Sequence, residues 1–189
     1  MARKYELKAR AERQEQTRLR IVDAAIELHA TKGPAQTTVS DVARVAGVQR
    51  HTVYRHFPDE RSLGLACSGL YAERNPPPDP EPWRSLPGEE RLRRGLEELY
   101  AFYERNEAMF TCVARDAEIH ELSRELFLLR FGPFLAGARE VLGDVMSAGK
   151  QARAALDLAL ELRTWQRLRA SGLTSLEAAE TMARALYCL

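Results

Sequence analysis

Apolar residues recur at helical spacing along almost the whole chain. Leu19, Val22 and Ile26 lie three and four positions apart and predict a first helix. We expect it to end at Gly33-Pro34, because glycine favours the left-handed conformation after a helix and proline cannot continue it. The same spacing predicts further helices around 63–70, 92–103, 110–114, 122–146, 158–168 and 179–186. No alternating run predicts a strand, so the sequence indicates an all-α protein.

Glycine and proline residues also predict where the helical segments stop. Five of the eight residues in 75–82 are proline, which marks a linker. Gly132-Pro133 is expected to interrupt the helix over 122–146, whereas 158–168 contains no such break. The predicted domains are a basic N-terminal arm over 1–16, a DNA-binding domain with a connecting fourth helix over 17–74, and a C-terminal ligand-binding and dimerisation domain over 83–189.

The segment 38–57 predicts two short helices joined by a tight turn. Thr38-x-x-Asp41 resembles a capping box at the first helix, and Thr174-x-x-Glu177 repeats that pattern near the last helix of the chain. Gly47 is expected to form the turn, and Ala43 is small enough for the next helix to cross it. This arrangement is a helix-turn-helix, whose second helix can enter the major groove of DNA.

Polar side chains along the second helix are suited to DNA. Those expected at base edges open the helix: Gln49, Arg50, His51 and Thr52. Those suited to phosphate groups follow: Tyr54, Arg55 and His56. The alternative is that such turns between helices are common and that these polar residues are merely exposed.

The full pattern resembles a known family. The segment is similar to the DNA-binding domain of the tetracycline-repressor (TetR) family. The residues that carry this similarity are Thr37-Thr38-Val39-x-Asp41-Val42-Ala43-x-x-Ala46-Gly47-Val48, followed by Thr52-Val53-Tyr54-Arg55-His56-Phe57 and Leu63. With its flanking helices the resemblance extends over 14–74. It implies an all-helical homodimer whose C-terminal domain binds a small molecule and whose last two helices pair with those of a partner. It also implies phosphate contacts for Thr38, Tyr54 and His56, and a groove position for 50–52.

Three residues depart from the family pattern. Gln49 stands where serine usually opens the recognition helix, and glutamine is a poor N-cap. His51 replaces a small residue, which is expected to change the sequence preference. Glu60 replaces a common lysine at the start of the fourth helix, beside Arg61, and a carboxylate there repels DNA.

Charge is unevenly distributed along the chain. The formal net charge is +1, but residues 1–74 hold 13 Lys/Arg against 9 Asp/Glu, and the remainder holds 15 against 18. The basic arm contributes Arg3, Lys4, Lys8, Arg10 and Arg13. We expect this arm either to attract phosphates at long range or to be a solvated tail.

The C-terminal half contains candidate ligand-binding and interface residues. The ligand candidates combine apolar faces with polar groups: Tyr100, Tyr103, Phe110, His120 and Trp165. Such aromatic residues are also typical of a core, and His120 has no second ligand at metal spacing. The candidate dimer interface consists of small and apolar residues: Leu158, Ala159, Leu162, Ala179, Met182, Ala183 and Leu186. Packing within one subunit is the alternative.

Composition and motifs exclude several classes. No apolar run is long enough to span a bilayer, and three widely spaced cysteines predict neither disulfides nor a metal site, which indicates a soluble cytoplasmic protein. No catalytic or cofactor motif is present, so we expect no enzyme and no cofactor. The sequence favours a repressor that binds a palindromic double-stranded operator as a homodimer and responds to an unknown small molecule. Alternatives are a constitutive DNA-binding protein, and a helical enzyme or protein-interaction module.

Overall fold

The computed structural model describes the backbone of residues 2–188 and side chains from residue 8 onward. The described residues form ten α-helices, two short 3₁₀ helices over Pro34–Gln36 and Glu81–Ser85, and no strand, which confirms the all-α class. The helices are α1 Ala2–Thr31, α2 Val39–Ala46, α3 Arg50–His56, α4 Glu60–Arg74, α5 Gly88–Arg105, α6 Glu107–Ala117, α7 Glu121–Gly143, α8 Lys150–Ala159, α9 Leu162–Ala170 and α10 Ser175–Tyr187.

From residue 2 onward, the basic arm predicted over 1–16 lies in a helix. The backbone of α1 begins at Ala2 and continues to Thr31. The side chains of Arg3 and Lys4 lie outside the described residues, whereas Lys8, Arg10 and Arg13 are exposed on α1. A separate arm is therefore not distinguished from the first helix.

The chain divides into two compact units. The first comprises residues up to Arg74 together with Thr111–Arg130, and the second comprises Asn75–Phe110 and the residues from Phe131 onward. This division differs from the predicted C-terminal domain over 83–189, because 111–130 packs with the N-terminal helices. Side chains of this segment bond to the residues between α1 and α2 and to α4, contacts that have no signature in the local sequence.

The core of the first unit is formed by α1 to α4. Ile21, Val22 and Ala25 of α1 pack with apolar residues of the next three helices, among them Val42, Val53, Phe57, Leu63 and Cys67. Ala43 is also buried, as its predicted place under the crossing helix requires. The core thus fixes α2 and α3 against the long first helix.

The second unit is built around aromatic residues of α5. The rings of Phe102 and Phe131 stack with centroids 5.8 Å apart, and Phe110 meets Phe102 edge-on at 5.2 Å. Trp83 and Trp165 are also fully buried. Aromatic pairs of this geometry add to the stability given by burial alone.

Two predicted helix boundaries were wrong. The predicted single helix over 158–168 is divided, with α8 ending at Ala159 and α9 starting at Leu162. The hydroxyls of Tyr100 and Tyr103 donate to the carbonyls of Ala159 and Leu160 at 2.9 and 2.6 Å. These bonds satisfy backbone groups near the break, which local periodicity does not show.

The opposite error concerns α7, which continues through Gly132-Pro133 without interruption. Pro133 is exposed, so water can bond the carbonyl that loses its helical donor. Phe131 and Phe134 on either side are buried and hold the helix in place. Within residues 2–188, no helix has both the length and the apolar character required to cross a membrane.

Candidate nucleic-acid interface

The turn between α2 and α3 requires a glycine. Gly47 has φ 65° and ψ 38°, the left-handed conformation that other residues adopt at a cost. Its N–H donates to the carbonyl of Arg44 at 3.3 Å, and the N–H of Val48 donates to that of Ala43 at 3.0 Å. These bonds close the end of α2 and direct the chain into α3, as the sequence predicted.

The start of α3 is held by backbone bonds alone. Gln49 occupies the N-cap position, but its side chain makes no capping hydrogen bond. Its carbonyl accepts the N–H of Thr52 at 2.8 Å. Gln49 thus does not cap α3 through its side chain, which remains exposed at the beginning of the helix.

The two faces of α3 differ sharply in burial. Val53 and Phe57 are 1% and 4% exposed and anchor the helix to the core of the first unit. The predicted contact residues on the opposite side are exposed, namely Gln49, Arg50, His51, Tyr54 and Arg55, whereas Thr52 and His56 are half-buried. Helix α3 thus presents a row of hydrogen-bonding side chains on a rigidly packed support.

Arg50 and Tyr54 form a pair on that exposed face. Arg50 Nη2 donates to the Tyr54 hydroxyl at 3.1 Å, and the guanidinium carbon lies 5.5 Å from the centre of the ring. Positions four residues apart are neighbours on a helix surface. The pair holds two long side chains in one arrangement before any DNA is bound.

His56 is less available than the other predicted contacts. Its Nε2 is buried and has no hydrogen-bond partner among the described residues. Burial lowers its pKa, and the nearby Arg55 and Arg18 lower it further. His56 is therefore a neutral side chain at neutral pH, with one covered nitrogen.

Thr38 opens α2 with the predicted capping box. The N–H of Asp41 donates to Thr38 Oγ1 at 3.1 Å, and the N–H of Thr38 donates to the Asp41 carboxylate, also at 3.1 Å. Lys32 Nζ bonds the same carboxylate at 2.6 Å. The hydrogen bonds from Lys32 and then Thr38 lower the pKa of Asp41 well below its usual value. Thr38 is exposed and fixed in place.

Charged residues at the start of α4 are paired with the 111–130 segment. Arg61 donates through both terminal nitrogens to the carboxylate of Glu125 at 2.5 Å, which lowers the pKa of Glu125. Glu60 lies 3.6 Å from His120 Nε2. Sequence reasoning singled out Glu60 and Arg61 but missed Glu125, since a lone acidic residue on a distant helix gives no local signal.

The predicted ligand-binding residues do not all lie together. Tyr100, Tyr103, Phe110 and Trp165 belong to the second unit, and Trp165 Nε1 donates to Ser175 Oγ at 3.0 Å. Burial raises the pKa of both tyrosines, which therefore act as neutral donors to the main chain. His120 lies in the first unit, between α6 and α7, with its Nδ1 2.8 Å from Ser123 Oγ.

The predicted dimer residues fall into two groups. Ala159, Ala179, Ala183 and Leu186 are buried within the single chain, so they are core residues and are corrected as such. They were predicted as an interface because small residues suit close helix packing, but that packing is made within the subunit. The others retain exposed surface: Leu158 is 53% exposed, and Leu162 and Met182 are half-buried.

Comparison with known proteins identifies the N-terminal region. Residues 21–67 match the family model described as bacterial regulatory proteins, tetR family. The HTH-type transcriptional regulator SrpR of Pseudomonas putida is 46% identical over 57 residues, which are 30% of this chain and 24% of that protein. The HTH-type transcriptional regulator AcrR of Shigella flexneri is 36% identical over 63 residues, 33% and 27% of the two chains. The match thus spans about a quarter of these curated relatives.

A solved structure extends the likeness in fold. The structure of NalD, the secondary repressor of the MexAB-OprM multidrug efflux pump in Pseudomonas aeruginosa, has a TM-score of 0.58 with 23% identity. It covers 92% of this chain and 96% of that one. At this identity the comparison shows the fold alone. The resemblance to the TetR family is therefore confirmed by sequence over residues 21–67, and the fold of this repressor is shared over most of the chain.

Proposed function

We propose that this protein is a sequence-specific DNA-binding transcriptional regulator, a repressor whose operator binding is modulated by a small molecule. The observation that supports DNA binding most strongly is the division of α3 into a buried face and an exposed hydrogen-bonding face. Arg50 provides the fork of donors suited to guanine, and Gln49 provides the amide suited to adenine. The tetR-family match of residues 21–67 covers this helix.

The proposed DNA-bound form is a homodimer on a palindromic operator. Two recognition helices then enter successive major grooves about 34 Å apart. Thr38, Tyr54 and Arg55 contact phosphates and set the orientation of α3, while 49–52 contact base edges. His56 is a weaker phosphate contact in this proposal because its Nε2 is covered.

The proposed dimer surface is the outer face of α10 and its surroundings. An open groove lies along this helix, lined by Leu173, Glu177, Glu180, Thr181, Arg184, Ala185 and Cys188. Leu176 and Tyr187 are each 54% exposed on the same helix. Exposed apolar residues beside a groove suit a self-complementary contact with a second copy. This surface replaces the buried alanine faces of the sequence prediction.

A second candidate function concerns the response to a ligand: the protein binds DNA constitutively and senses no small molecule. Tyr100 and Tyr103 are fully buried and donate to main-chain carbonyls, which favours a structural role for both. A constitutive DNA-binding protein without sensing fits that observation. Thermal stabilisation by a panel of small apolar metabolites supports the ligand-responsive candidate, since a ligand that binds only the folded state raises Tm. No stabilisation supports the constitutive one.

Selection of bound fragments from genomic DNA tests the DNA-binding proposal directly. The full chain is expected to enrich a small set of fragments that share a palindrome. The variant Arg50→Ala is the matched control, because it removes an exposed side chain of α3 and leaves the core intact. Enrichment of no fragment by the wild-type chain at physiological salt contradicts the proposal.

A further inference from the structure

Asp116 is a fully buried carboxylate in the first unit. It is 0% exposed at the end of α6, and a buried charge requires partners that compensate for the loss of water. Its Oδ2 accepts the N–H of Ala35 at 2.8 Å, across 81 positions of sequence. Its Oδ1 accepts from Arg115 Nε at 2.8 Å. The carboxylate therefore satisfies a backbone donor in the segment between α1 and α2.

Two further residues on the same face of α6 hold that segment. Arg115 Nη2 donates to the carbonyl of Lys32 at 2.7 Å, and Cys112 Sγ donates to that of Ala30 at 3.6 Å. Cys112 lies three and four positions before Arg115 and Asp116, so one helix face supplies all three bonds. Carbonyls at the end of α1 and the first free N–H of the 3₁₀ helix thus find their partners on α6.

The segment between α1 and α2 is packed tightly against α6 at Gly33. Gly33 has φ 95°, and a Cβ placed there would overlap the Asp116 carboxylate and the Arg115 guanidinium. His29 lies nearby, and burial lowers its pKa to about 4 in spite of the opposing charge of Asp116. The imidazole of His29 is therefore neutral, and the hydrogen-bond partners of Asp116 are Arg115 and Ala35.

The held segment leads directly to the N-terminus of α2. Lys32, whose carbonyl is bonded to Arg115, places its own ammonium 2.6 Å from Asp41. Asp41 in turn caps Thr38, the residue proposed to contact phosphate. Lys32 therefore links Arg115 to the start of the helix-turn-helix, through a hydrogen bond at its carbonyl and another at its ammonium group.

We propose that Asp116 is a positioning residue for DNA binding: together with Arg115 it fixes the segment 30–37 and thereby the placement of Thr38 and α2 on the operator. The proposal rests on the proposed function only for its DNA consequence. Its structural part, the dependence of the ordered segment 30–37 and the start of α2 on Asp116, is independent of any operator.

Hydrogen exchange on the full chain without DNA tests the structural part. Asp116→Ala is expected to raise amide exchange of Ala35 and of 38–42 by about tenfold, while the second capping box at Thr174 keeps its wild-type protection. Asp116→Asn retains an acceptor for the Ala35 N–H and is expected to restore most of the protection. Unchanged exchange at Ala35 in Asp116→Ala overturns the proposal, whether or not the protein binds DNA.

Affinity for a fragment selected by the wild-type chain tests the functional part. We expect Asp116→Ala to weaken binding about tenfold, within the roughly 5- to 150-fold range of coupling between sites, and Asp116→Asn to recover most of it. Val141→Ala, a core change in the second unit, controls for general destabilisation and is expected to bind normally. Raised exchange with unchanged affinity overturns the positioning role.

The proposal remains testable if Asp116→Ala does not fold or if the wild-type chain binds no DNA fragment. If Asp116→Ala does not fold, Arg115→Ala is measured in its place, with increased exchange at Ala35 expected and unchanged exchange contradicting the proposal. If the wild-type chain selects no fragment, the proposed function fails, and the exchange measurement alone decides the role of Asp116 in ordering the segment 30–37 and the start of α2.

Discussion

The guanidinium of Arg50 lies over the ring of Tyr54 and donates to its hydroxyl at 3.1 Å. One of these residues is proposed to contact a base and the other a phosphate. Because the Tyr54 ring and hydroxyl hold the guanidinium, removal of Tyr54 also frees Arg50. The two side chains therefore constitute one unit on the exposed face of α3.

A double-mutant cycle is expected to show this coupling in DNA binding. Arg50→Ala and Tyr54→Ala should each weaken binding to a selected fragment, by about 1–3 kcal/mol for a base contact. The double variant should lose less than the sum, with a coupling of about 0.5 kcal/mol or more. Tyr54→Phe keeps the ring under Arg50 and is expected to have a smaller effect. Additive losses measured at fixed salt would contradict a functional pair.

The two capping boxes provide a matched comparison of stability and DNA binding. Thr38→Ala and Thr174→Ala each remove a side chain that accepts from a backbone N–H, and each is expected to lower the free energy of unfolding by about 0.5–2 kcal/mol. Only Thr38→Ala should also reduce DNA affinity and its salt dependence. Denaturant unfolding and binding titrations measure both. If the two variants reduce DNA affinity equally, the loss of affinity results from reduced folding stability and not from a lost contact of Thr38 with DNA.

Two glycines with nearly the same φ are expected to differ in their tolerance of a side chain. Gly172 has φ 94°, and no atom lies within 4 Å of the position that an added Cβ would take, so Gly172→Ala should cost about 1–2 kcal/mol of backbone strain. Gly33 has φ 95° and ψ 156°, a conformation essentially restricted to glycine, and an added Cβ would also overlap Asp116. Gly33→Ala should therefore cost about 1–3 kcal/mol more than Gly172→Ala. Chemical denaturation measures both, and equal losses would contradict a tight contact at Gly33.

His29 is expected to make the fold sensitive to acid. Its pKa is lowered by burial from 6.5 to about 4 in the folded state, so below pH 6.5 the unfolded chain binds the proton more readily. Stability therefore falls as pH falls from 6.5 to about 4, by about 3 kcal/mol from this residue, and the loss is complete below that range. His29→Gln should reduce the difference in unfolding free energy between pH 7 and pH 4 by this amount. An unchanged difference would assign the acid sensitivity to other groups.

The proposed dimer surface is tested by charge at an exposed leucine. Leu176→Glu on α10 is expected to shift the protein to monomer in sedimentation experiments and to weaken operator binding, with the helical circular dichroism signal unchanged. Leu128→Glu on α7 is the control, because Leu128 is 56% exposed and Leu176 54%, while only Leu176 lies on α10. Dissociation by the control, or a dimeric Leu176→Glu, would place the interface elsewhere.

Short-range patterns were sufficient to predict the helix-turn-helix. The capping box at Thr38 and the turn at Gly47 are both as expected, because each depends on residues close to one another in the sequence. The same holds for the capping box at Thr174. Local chemistry thus determined where these helices begin and what α3 presents to solvent.

Contacts between distant residues decided the remainder. The backbone at the break after Ala159 is hydrogen-bonded by a tyrosine of α5, and the segment at Gly33 is held by Asp116 of α6. Hydrophobic periodicity along the chain does not reveal either of these pairings. The alanines of α10 could pack within the chain or against a second copy, and only the folded chain shows them covered internally. Sequence alone therefore determined the helix-turn-helix and its proposed DNA-contacting face, because these follow from local hydrogen bonds and hydrophobic spacing. Tertiary structure determined which polar groups are paired and which apolar faces remain open, because those depend on what packs against them.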